Sequence, residues 1–448
     1  MRRCRLLLLL CALRLPAGAE PFRDGDRVCL VGDSITSGGA YHAAVQLFYA
    51  TRYPTRRITW FNCGHSGGSA GECLTRLEWD VLAHRPTAAT VSFGMNDMAG
   101  VYAEPVEENI AKRIAGVERN YTTLLDKLGA AGVRLTLVGP SPYDDTVQVA
   151  TKIERSNLAM TRWTQRLARL AADRGYGCVD LGAVMNPINA VLQAADPKAT
   201  LIGNDRVHPG PVGHAVMAYA LLKAQGVEPV VARVTVDGAS GQVGKLAGCT
   251  VEQVERGAAG LSFTVTAQAL PFVLPPAAQK ALDLVPLTGE LNREVLTVTS
   301  LPPGTYALSV DGTAVGSYAA TGLATGVNLA ANAQTPQYQQ ALALAKLNEQ
   351  RNALESGHVR CRAFIRHSLL TKAKVDPTDE AAVQTFLQAR IAGKAQADFR
   401  YDDFMARRYL QEVAPRWDET VKQLAELTAQ MTTDRQPKPR RFVLTRAR

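Results

Sequence analysis

The stretch Arg27-Val28-Cys29-Leu30-Val31-Gly32-Asp33-Ser34 decides the fold of the first half of this chain. Four consecutive apolar residues followed by glycine and aspartate predict a short buried strand that ends in a tight turn. Similar apolar runs recur up to residue 225, and most of them are followed by a helical pattern. The further predicted strands are 57–61, 88–93, 133–138 and 177–181, and the predicted helices are 40–53, 105–131, 152–174 and 211–223.

Strands that alternate with helices of this length predict an α/β fold with a parallel sheet that is covered by helices on both faces. Functional sites of such sheets lie at the carboxyl ends of the strands. Clusters of glycine, serine and asparagine follow the predicted strands directly, so the sequence pattern indicates a site at this edge.

The composition changes after residue 225, and the remainder of the chain is expected to form smaller units. Residues rich in Val, Thr, Gly and Pro predict a small antiparallel β domain, with a hairpin whose turn is Asp311-Gly312. The expected organisation is a signal peptide at 1–19, a catalytic domain at 20–225, the β domain at 226–330, a helical region at 331–432, and a basic tail with a candidate final strand at 433–448.

The first 19 residues have the pattern of a secretory signal peptide. Arg2, Arg3 and Arg5 precede a short leucine run, and Ala17-Gly18-Ala19 supplies small residues at a cleavage site. The leucine run is too short to span a bilayer, and no later stretch is apolar enough to do so. We therefore expect a secreted or periplasmic protein without stable membrane insertion.

The net charge of +9 is concentrated at the two ends of the chain. The first 19 residues hold four arginines and no acidic residue, and residues 433–448 hold six basic residues against one acid. The part between them is neutral, so no basic face for nucleic acid is expected. The six cysteines beyond residue 19 show no metal-binding spacing, and their disulfide pairing cannot be read from the sequence.

Ser34 is a candidate nucleophile because it lies on the turn between the first predicted strand and the next helix, at the expected site edge. Its backbone N–H would point towards a developing negative charge. Gly-Asp-Ser is also common in ordinary turns, so the triplet alone leaves a plain turn as the alternative.

A serine hydroxyl needs a neighbouring base to become a nucleophile. His208 is the candidate base, and Asp205, three residues earlier, could accept its other ring N–H, although a polar surface loop would look similar.

Gly67 and Asn96 are candidates for binding an oxyanion. Gly67 lies in a glycine-rich loop after the second predicted strand, and Asn96 follows the third predicted strand. Together with the N–H of Ser34 they would supply three hydrogen-bond donors. Ordinary turns remain the alternative for each residue alone. His65, in the same loop as Gly67, could touch the substrate but is interpreted as solvated, and His358 and His367 are interpreted as members of a charged helix.

Four sequence blocks resemble those of the SGNH (GDSL-type) hydrolase family, whose name lists its Ser, Gly, Asn and His. The blocks are Gly32-Asp33-Ser34-Ile35-Thr36, Asn62-Cys63-Gly64-His65-Ser66-Gly67, Gly94-Met95-Asn96-Asp97 and Asp205-Arg206-Val207-His208-Pro209. The resemblance implies a flavodoxin-like three-layer α/β/α fold with a five-stranded parallel sheet. It also implies ester hydrolysis through an acyl-enzyme, without metal or organic cofactor. One departure is Ile35, where the family often has leucine.

The expected function is therefore a secreted serine ester hydrolase with Ser34, Asp205 and His208 as its catalytic triad, and with Ser34, Gly67 and Asn96 as its oxyanion hole. The appended β domain resembles the carbohydrate-acting branch, so removal of acetyl or other short acyl groups from a carbohydrate is the first choice. A lipase or arylesterase, an O-acyltransferase with the same triad, and a catalytically inactive glycan-binding module are the alternatives. The partners are then small-molecule or polysaccharide esters, with the oligomeric state open.

Overall fold

The computed structural model describes residues 18–102, 106–257 and 260–447, so residues 1–17 of the expected signal peptide lie outside the described part. Its strands are β1 Arg27–Gly32, β2 Thr59–Gly64, β3 Ala88–Ser92, β4 Arg134–Val138, β5 Gly177–Val179, β6 Val230–Asp237, β7 Cys249–Gly257, β8 Gly260–Ala267, β9 Arg293–Thr299, β10 Thr305–Val310, β11 Thr313–Ala319, β12 Val327–Asn328 and β13 Arg440–Arg446. Its α-helices are α1 Ser34–Gly38, α2 Ala40–Arg52, α3 Ala70–Asp80, α4 Val106–Ala130, α5 Asn157–Arg174, α6 Leu181–Ala195, α7 Pro211–Ala224, α8 Leu287–Leu291, α9 Ala320–Thr325, α10 Pro336–Leu354, α11 Arg360–Phe364, α12 Thr371–Ala373, α13 Glu380–Ile391, α14 Tyr401–Arg408 and α15 Trp417–Asp434.

The first five strands form a parallel sheet in the order β2-β1-β3-β4-β5 within the described residues. Strand β1 lies between β2 and β3, and its apolar residues are fully buried. Val28 and Leu30 belong to the core on one face of the sheet, whereas Cys29 and Val31 belong to the core on the other. This alternation follows from the two-residue repeat of a strand, and it explains why a sheet covered on both faces needs a continuous apolar run.

The second half of the chain contains two further sheets with a common core. One has the antiparallel order β11-β10-β13-β8-β7, and the other has the order β12-β9-β6. The α/β fold class with an antiparallel β region and a helical C-terminal region is thus confirmed. One detail differs, because β6 and β9 pair in parallel. Strand β13 lies between β8 and β10 and pairs antiparallel with both.

Three α-helices of the first half were not predicted, and one begins later than expected. The unpredicted helices are α1, α3 and α6, and Pro187 inside α6 is a residue that normally argues against a helix. Helix α5 begins at Asn157, five residues after the predicted start. Among the described residues, no helix combines the length and the apolar character that a membrane span requires.

The helical C-terminal region packs directly on the parallel sheet and its helices. Leu344 and Ala345 of α10 belong to the same core as residues of α2 and α7. Beyond α10 the chain is locally π-helical at Glu355–Val359 and Ile365–Leu370, and again at Tyr409–Val413 after α14. Such turns insert an extra residue into a helix, and they are frequent at functional sites.

Two side chains from this helical region bind the open edge of the parallel sheet. Oε1 of Glu355 accepts the backbone N–H of Asn62 in the edge strand β2 at 3.1 Å. The buried guanidinium of Arg360 donates to the carbonyl oxygen of Asn62 at 2.9 Å and to both carboxylate oxygens of Asp80 at 2.8 and 2.9 Å. An exposed strand edge carries unpaired backbone groups, and these contacts satisfy the N–H and the carbonyl of Asn62 from nearly 300 residues away.

Candidate active site

Ser34 lies where β1 ends and α1 begins, at the carboxyl edge of the parallel sheet. The preceding Asp33 is buried, and its Oδ1 accepts the backbone N–H of Ile35 at 3.0 Å, which caps α1. Burial raises the pKa of Asp33 to about 6. Asp33 therefore holds the turn, while the hydroxyl of Ser34 remains free to face the cavity.

Ser34, His208 and Asp205 form a continuous hydrogen-bonded chain. Oγ of Ser34 lies 2.7 Å from Nε2 of His208, and Nδ1 of the same ring lies 2.6 Å from Oδ2 of Asp205. The carboxylate accepts Nδ1–H, which leaves the lone pair of Nε2 directed at the serine hydroxyl. The three predicted residues are thus brought together from loops 174 positions apart.

The carboxylate of Asp205 is held in its ionised form. Partial burial opposes ionisation, but its oxygens accept the backbone N–H of His208 at 2.9 Å, the backbone N–H of Val207 at 3.0 Å, and the ring N–H of His208. These hydrogen bonds outweigh the burial, and the pKa of Asp205 lies below its ordinary value. The loop therefore presents a charged acceptor to the imidazole.

Arg206 fixes the shape of the loop that carries Asp205 and His208. Its backbone has the left-handed φ of 66°, which is strained for a residue with a side chain. Its buried guanidinium donates to the carbonyl oxygens of Thr151, Asp144 and Val149 at 2.8, 2.9 and 3.2 Å. These contacts to the loop after β4 offset the strain, and they were not predicted because arginine in a loop carries no such signal.

Gly67 and Asn96 line the same cavity as Ser34 and His208. Gly67 has a left-handed φ of 74°, which a residue with a side chain rarely adopts. Nδ2 of Asn96 donates to the carbonyl oxygen of Gly68 at 2.9 Å and so ties the loop after β3 to the loop after β2. An amide nitrogen has a second hydrogen. The three residues that are predicted to form an oxyanion hole therefore line one cavity.

The C-terminal helices form the opposite wall of this cavity, which has a volume of about 1080 Å³. Residues of the π-helical turns, α11 and α14 face the loops of the sheet across it. The sequence left the role of the helical region open, because no local pattern marks a helix as a lining element. The wall includes Ser356, Gly357, Phe364, Ser368, Lys372, Tyr401, Asp402, Met405 and Arg408.

His65 was predicted to be solvated, and that interpretation is wrong. Its side chain is buried, and its ring stacks on Phe364 of the helical wall with 5.1 Å between the ring centroids. Its neighbours include Glu72 of α3 and His367, so these three side chains have the donor atoms that a metal ion could use. This cluster is separate from the contact between Ser34 and His208.

Comparison with known proteins agrees with the four sequence blocks. The model of the GDSL-like lipase/acylhydrolase family matches residues 30–216. A gut microbial diltiazem-metabolizing enzyme of known structure is 32% identical, and its superposition covers 96% of this chain and 100% of that chain with a TM-score of 0.85. An acetylxylan esterase from Geobacillus stearothermophilus is 25% identical over 224 residues, which are 47% of this chain and 98% of that protein. The crystal structure of that esterase superposes with a TM-score of 0.37 and covers 46% of this chain and 96% of its own. The chain therefore belongs to the GDSL-like lipase/acylhydrolase family.

Proposed function

We propose that the protein is a serine ester hydrolase in which Ser34 is the nucleophile, His208 the general base and Asp205 the residue that orients the imidazole. The observation that carries this proposal is the unbroken chain from hydroxyl to imidazole to carboxylate, with distances of 2.7 and 2.6 Å. A serine hydroxyl becomes a useful nucleophile when a neutral imidazole can take its proton.

The reaction has two steps with one covalent intermediate. Nε2 of His208 takes the proton of the Ser34 hydroxyl while Oγ attacks the ester carbonyl carbon. The N–H groups of Ser34 and Gly67 and the amide of Asn96 stabilise the negative oxygen. Collapse of the resulting tetrahedral adduct expels the alcohol, which receives the proton from His208. The acyl group remains on Ser34 as the acyl-enzyme, which is the covalent intermediate. Water, activated by the same imidazole, then releases the acid and restores the serine.

The substrate that we favour is a carbohydrate with acetyl or other short acyl esters. The acetylxylan esterase matches the catalytic part of the chain over almost its whole own length. The helical wall presents the charged side chains of Lys372, Asp402 and Arg408 to an open cavity, where they can hydrogen-bond to the hydroxyl groups of a sugar. The second candidate is a small-molecule ester, because the relative that aligns over the whole chain metabolises diltiazem.

Kinetics of a Ser34→Ala variant test the proposed nucleophile. We expect kcat for p-nitrophenyl acetate to fall by at least about 10⁴-fold, because His208 and Asp205 cannot accept the acyl group without the Ser34 hydroxyl. Ser356→Ala is the matched control, since Ser356 lines the same cavity and its hydroxyl donates to the carbonyl of Asn352 at 2.8 Å. Activity of Ser34→Ala at the wild-type level would refute the assignment.

The substrate class is tested by comparing kcat/KM for acetylated xylo-oligosaccharides, diltiazem, p-nitrophenyl acetate and a long-chain ester. We expect the first to exceed the last by a wide margin, and the opposite order would favour a lipase. Free acetate and acetylated acceptor are measured together in the presence of a sugar, because transfer in excess of release would indicate an acyltransferase.

Export, which the pattern of residues 1–19 supports, is tested by N-terminal sequencing of the mature protein, with cleavage after Ala19 expected.

A further inference from the structure

Three side chains from separate elements meet behind the loop that carries Gly67. His65 follows β2, Glu72 belongs to the first turn of α3, and His367 lies in the π-helical turn Ile365–Leu370. One ligand atom of each lies within 4.8 Å of the other two. Nε2 of His367 is already 2.6 Å from Oε1 of Glu72. The cluster therefore joins the catalytic sheet to the helical wall.

The ring of His65 is fixed in a way that leaves one nitrogen free. Its Nε2 lies 3.0 Å from the hydroxyl oxygen of Ser368, whereas its Nδ1 has no hydrogen-bond partner among the described residues. The side chain is only 3% exposed, and Phe364 stacks on the ring, so rotation towards water is blocked. A neutral ring that donates one N–H to a neighbour offers its second nitrogen as a ligand.

We propose that His65, Glu72 and His367 form a binding site for a structural Zn²⁺ ion, with Nδ1 of His65 as one ligand. Two imidazoles and one carboxylate are a ligand set that zinc accepts, and water can take the fourth position. Tetrahedral coordination places ligand atoms about 3.3 Å apart, given zinc–nitrogen and zinc–oxygen distances near 2.0–2.1 Å. The ligand atoms of His367 and Glu72 lie 2.6 Å apart and all three lie within 4.8 Å of one another, so a bound ion requires these two side chains to separate slightly.

The balance of charges and the types of ligand atom favour zinc over a hard cation. Nε of Arg76 donates to Glu72 at 3.1 Å, and Arg76 and Arg360 both pair with Asp80. Two arginines and two acids balance, so the site holds no excess negative charge. Hard cations such as Mg²⁺ and Ca²⁺ need several oxygen ligands. Imidazole nitrogens instead favour zinc and related transition metals.

Binding of zinc would fix the Gly67 loop and the helical wall, which lie on two sides of the candidate active site. His65 is two residues before Gly67, and His367 is adjacent to Ser368 of the cavity wall. A bound ion would therefore hold the Gly67 loop against the helical wall. Because a ligand that binds only the folded state stabilises it, zinc should raise the melting temperature.

The test is titration of the chelator-treated full-length protein with ZnCl₂ by calorimetry, together with the visible spectrum of the Co²⁺-substituted form. We expect one ion per chain, a tetrahedral Co²⁺ spectrum, a higher melting temperature with Zn²⁺, and no response to Mg²⁺ or Ca²⁺. His367→Ala and Glu72→Gln should each weaken zinc binding at least tenfold. His358→Ala is the matched control, because His358 lies on the same helical run but contacts Thr420 instead.

A His208→Ala variant separates this site from the candidate triad, and it should bind zinc as tightly as the wild type. Circular dichroism shows whether each variant is folded. The proposal is overturned if the wild type does not bind zinc, if folded His367→Ala and Glu72→Gln bind it with unchanged affinity, or if zinc binding is lost in His208→Ala.

Discussion

The two walls of the large cavity are built in different ways. The wall at the sheet edge consists of short loops whose shapes are set by nearby backbone hydrogen bonds, such as those that Asp205 accepts from Val207 and His208. The helical wall consists of side chains from the π-helical turns and the short helices next to them, and it is anchored through Arg360 and Glu355 to the edge strand β2. The loop wall thus holds the proposed catalytic residues, whereas the helical wall lines the cavity and binds the sheet edge.

The largest expected effect comes from the loop wall, through Asp205→Asn. The amide keeps the size of the side chain but no longer provides a charged acceptor for Nδ1–H of His208. We expect kcat for p-nitrophenyl acetate to fall by about 10⁴-fold, as a misoriented or wrongly protonated imidazole cannot act as base. Because Asp205 is half exposed, the melting temperature should change little. Wild-type kcat in this variant would show that Asp205 does not orient the base.

The second-largest expected effect is a loss of stability in Arg360→Met, which removes the contacts between the helical wall and the sheet edge. This change leaves the buried carboxylate of Asp80 with Arg76 as its remaining partner. Loss of one member of a buried ion pair costs about 3–5 kcal/mol, so a clearly lower free energy of unfolding is expected in urea titrations. Arg362→Ala is the control, since the partly exposed Arg362 stacks over Trp417, and a cost of about 1 kcal/mol is expected. Equal losses of unfolding free energy in the two variants would contradict the claim that Arg360 anchors the helical wall.

A pH-dependent effect is expected where α10 meets β9. Glu294 of β9 is buried against Gln337 of α10, and burial raises the pKa of Glu294 to about 7. A carboxyl whose pKa is higher in the folded state binds more protons there, so its contribution to stability is lost as the pH rises from about 4.5 to 7. A shift of this size corresponds to about 3 kcal/mol.

Replacement of the ionisable group tests this directly. Glu294→Gln cannot ionise, so its melting temperature should exceed that of the wild type at pH 8 and approach the wild-type value near pH 5. Thermal unfolding followed by circular dichroism at both pH values measures the difference. A difference between the two proteins that does not depend on pH would contradict the raised pKa.

The smallest expected effect concerns the fit of the substrate to the helical wall. Tyr401 is 53% exposed at the cavity, and its ring meets that of Phe364 edge to face, with 5.3 Å between the centroids. Tyr401→Ala should raise KM for acetylated xylo-oligosaccharides by about 3- to 10-fold, since loss of an aromatic contact costs about 1 kcal/mol. The KM for p-nitrophenyl acetate should be unchanged. Phe404→Ala is the control, because Phe404 is similarly exposed but does not line the cavity. Equal changes in KM for the two variants would count against a substrate contact.

The loop wall could be predicted from the sequence because its determinants are local. The apolar run 28–31 followed by Gly32-Asp33-Ser34 specifies a buried strand and its turn, and Asp205 and His208 are only three residues apart. Parallel strands then bring their carboxyl ends to one edge. The fold class followed from the same repeated pattern.

The helical wall could not be predicted, because its contacts join residues far apart in the chain. Nothing in the sequence around Arg360 indicates that its guanidinium reaches Asp80, 280 residues away. His65 was interpreted as solvated for the same reason, since Phe364, which covers it, belongs to the distant helices. Helix α6 was missed because Pro187 normally interrupts a helix.

The most direct test of the central claim is to locate the covalent adduct that a fluorophosphonate forms with the wild-type protein. Peptide mass spectrometry after labelling should find the phosphonyl group on Ser34, with about one label per chain, and none on that peptide in His208→Ala over the same time. An unlabelled wild-type protein, or a label on another serine, would contradict the assignment of Ser34 as the nucleophile.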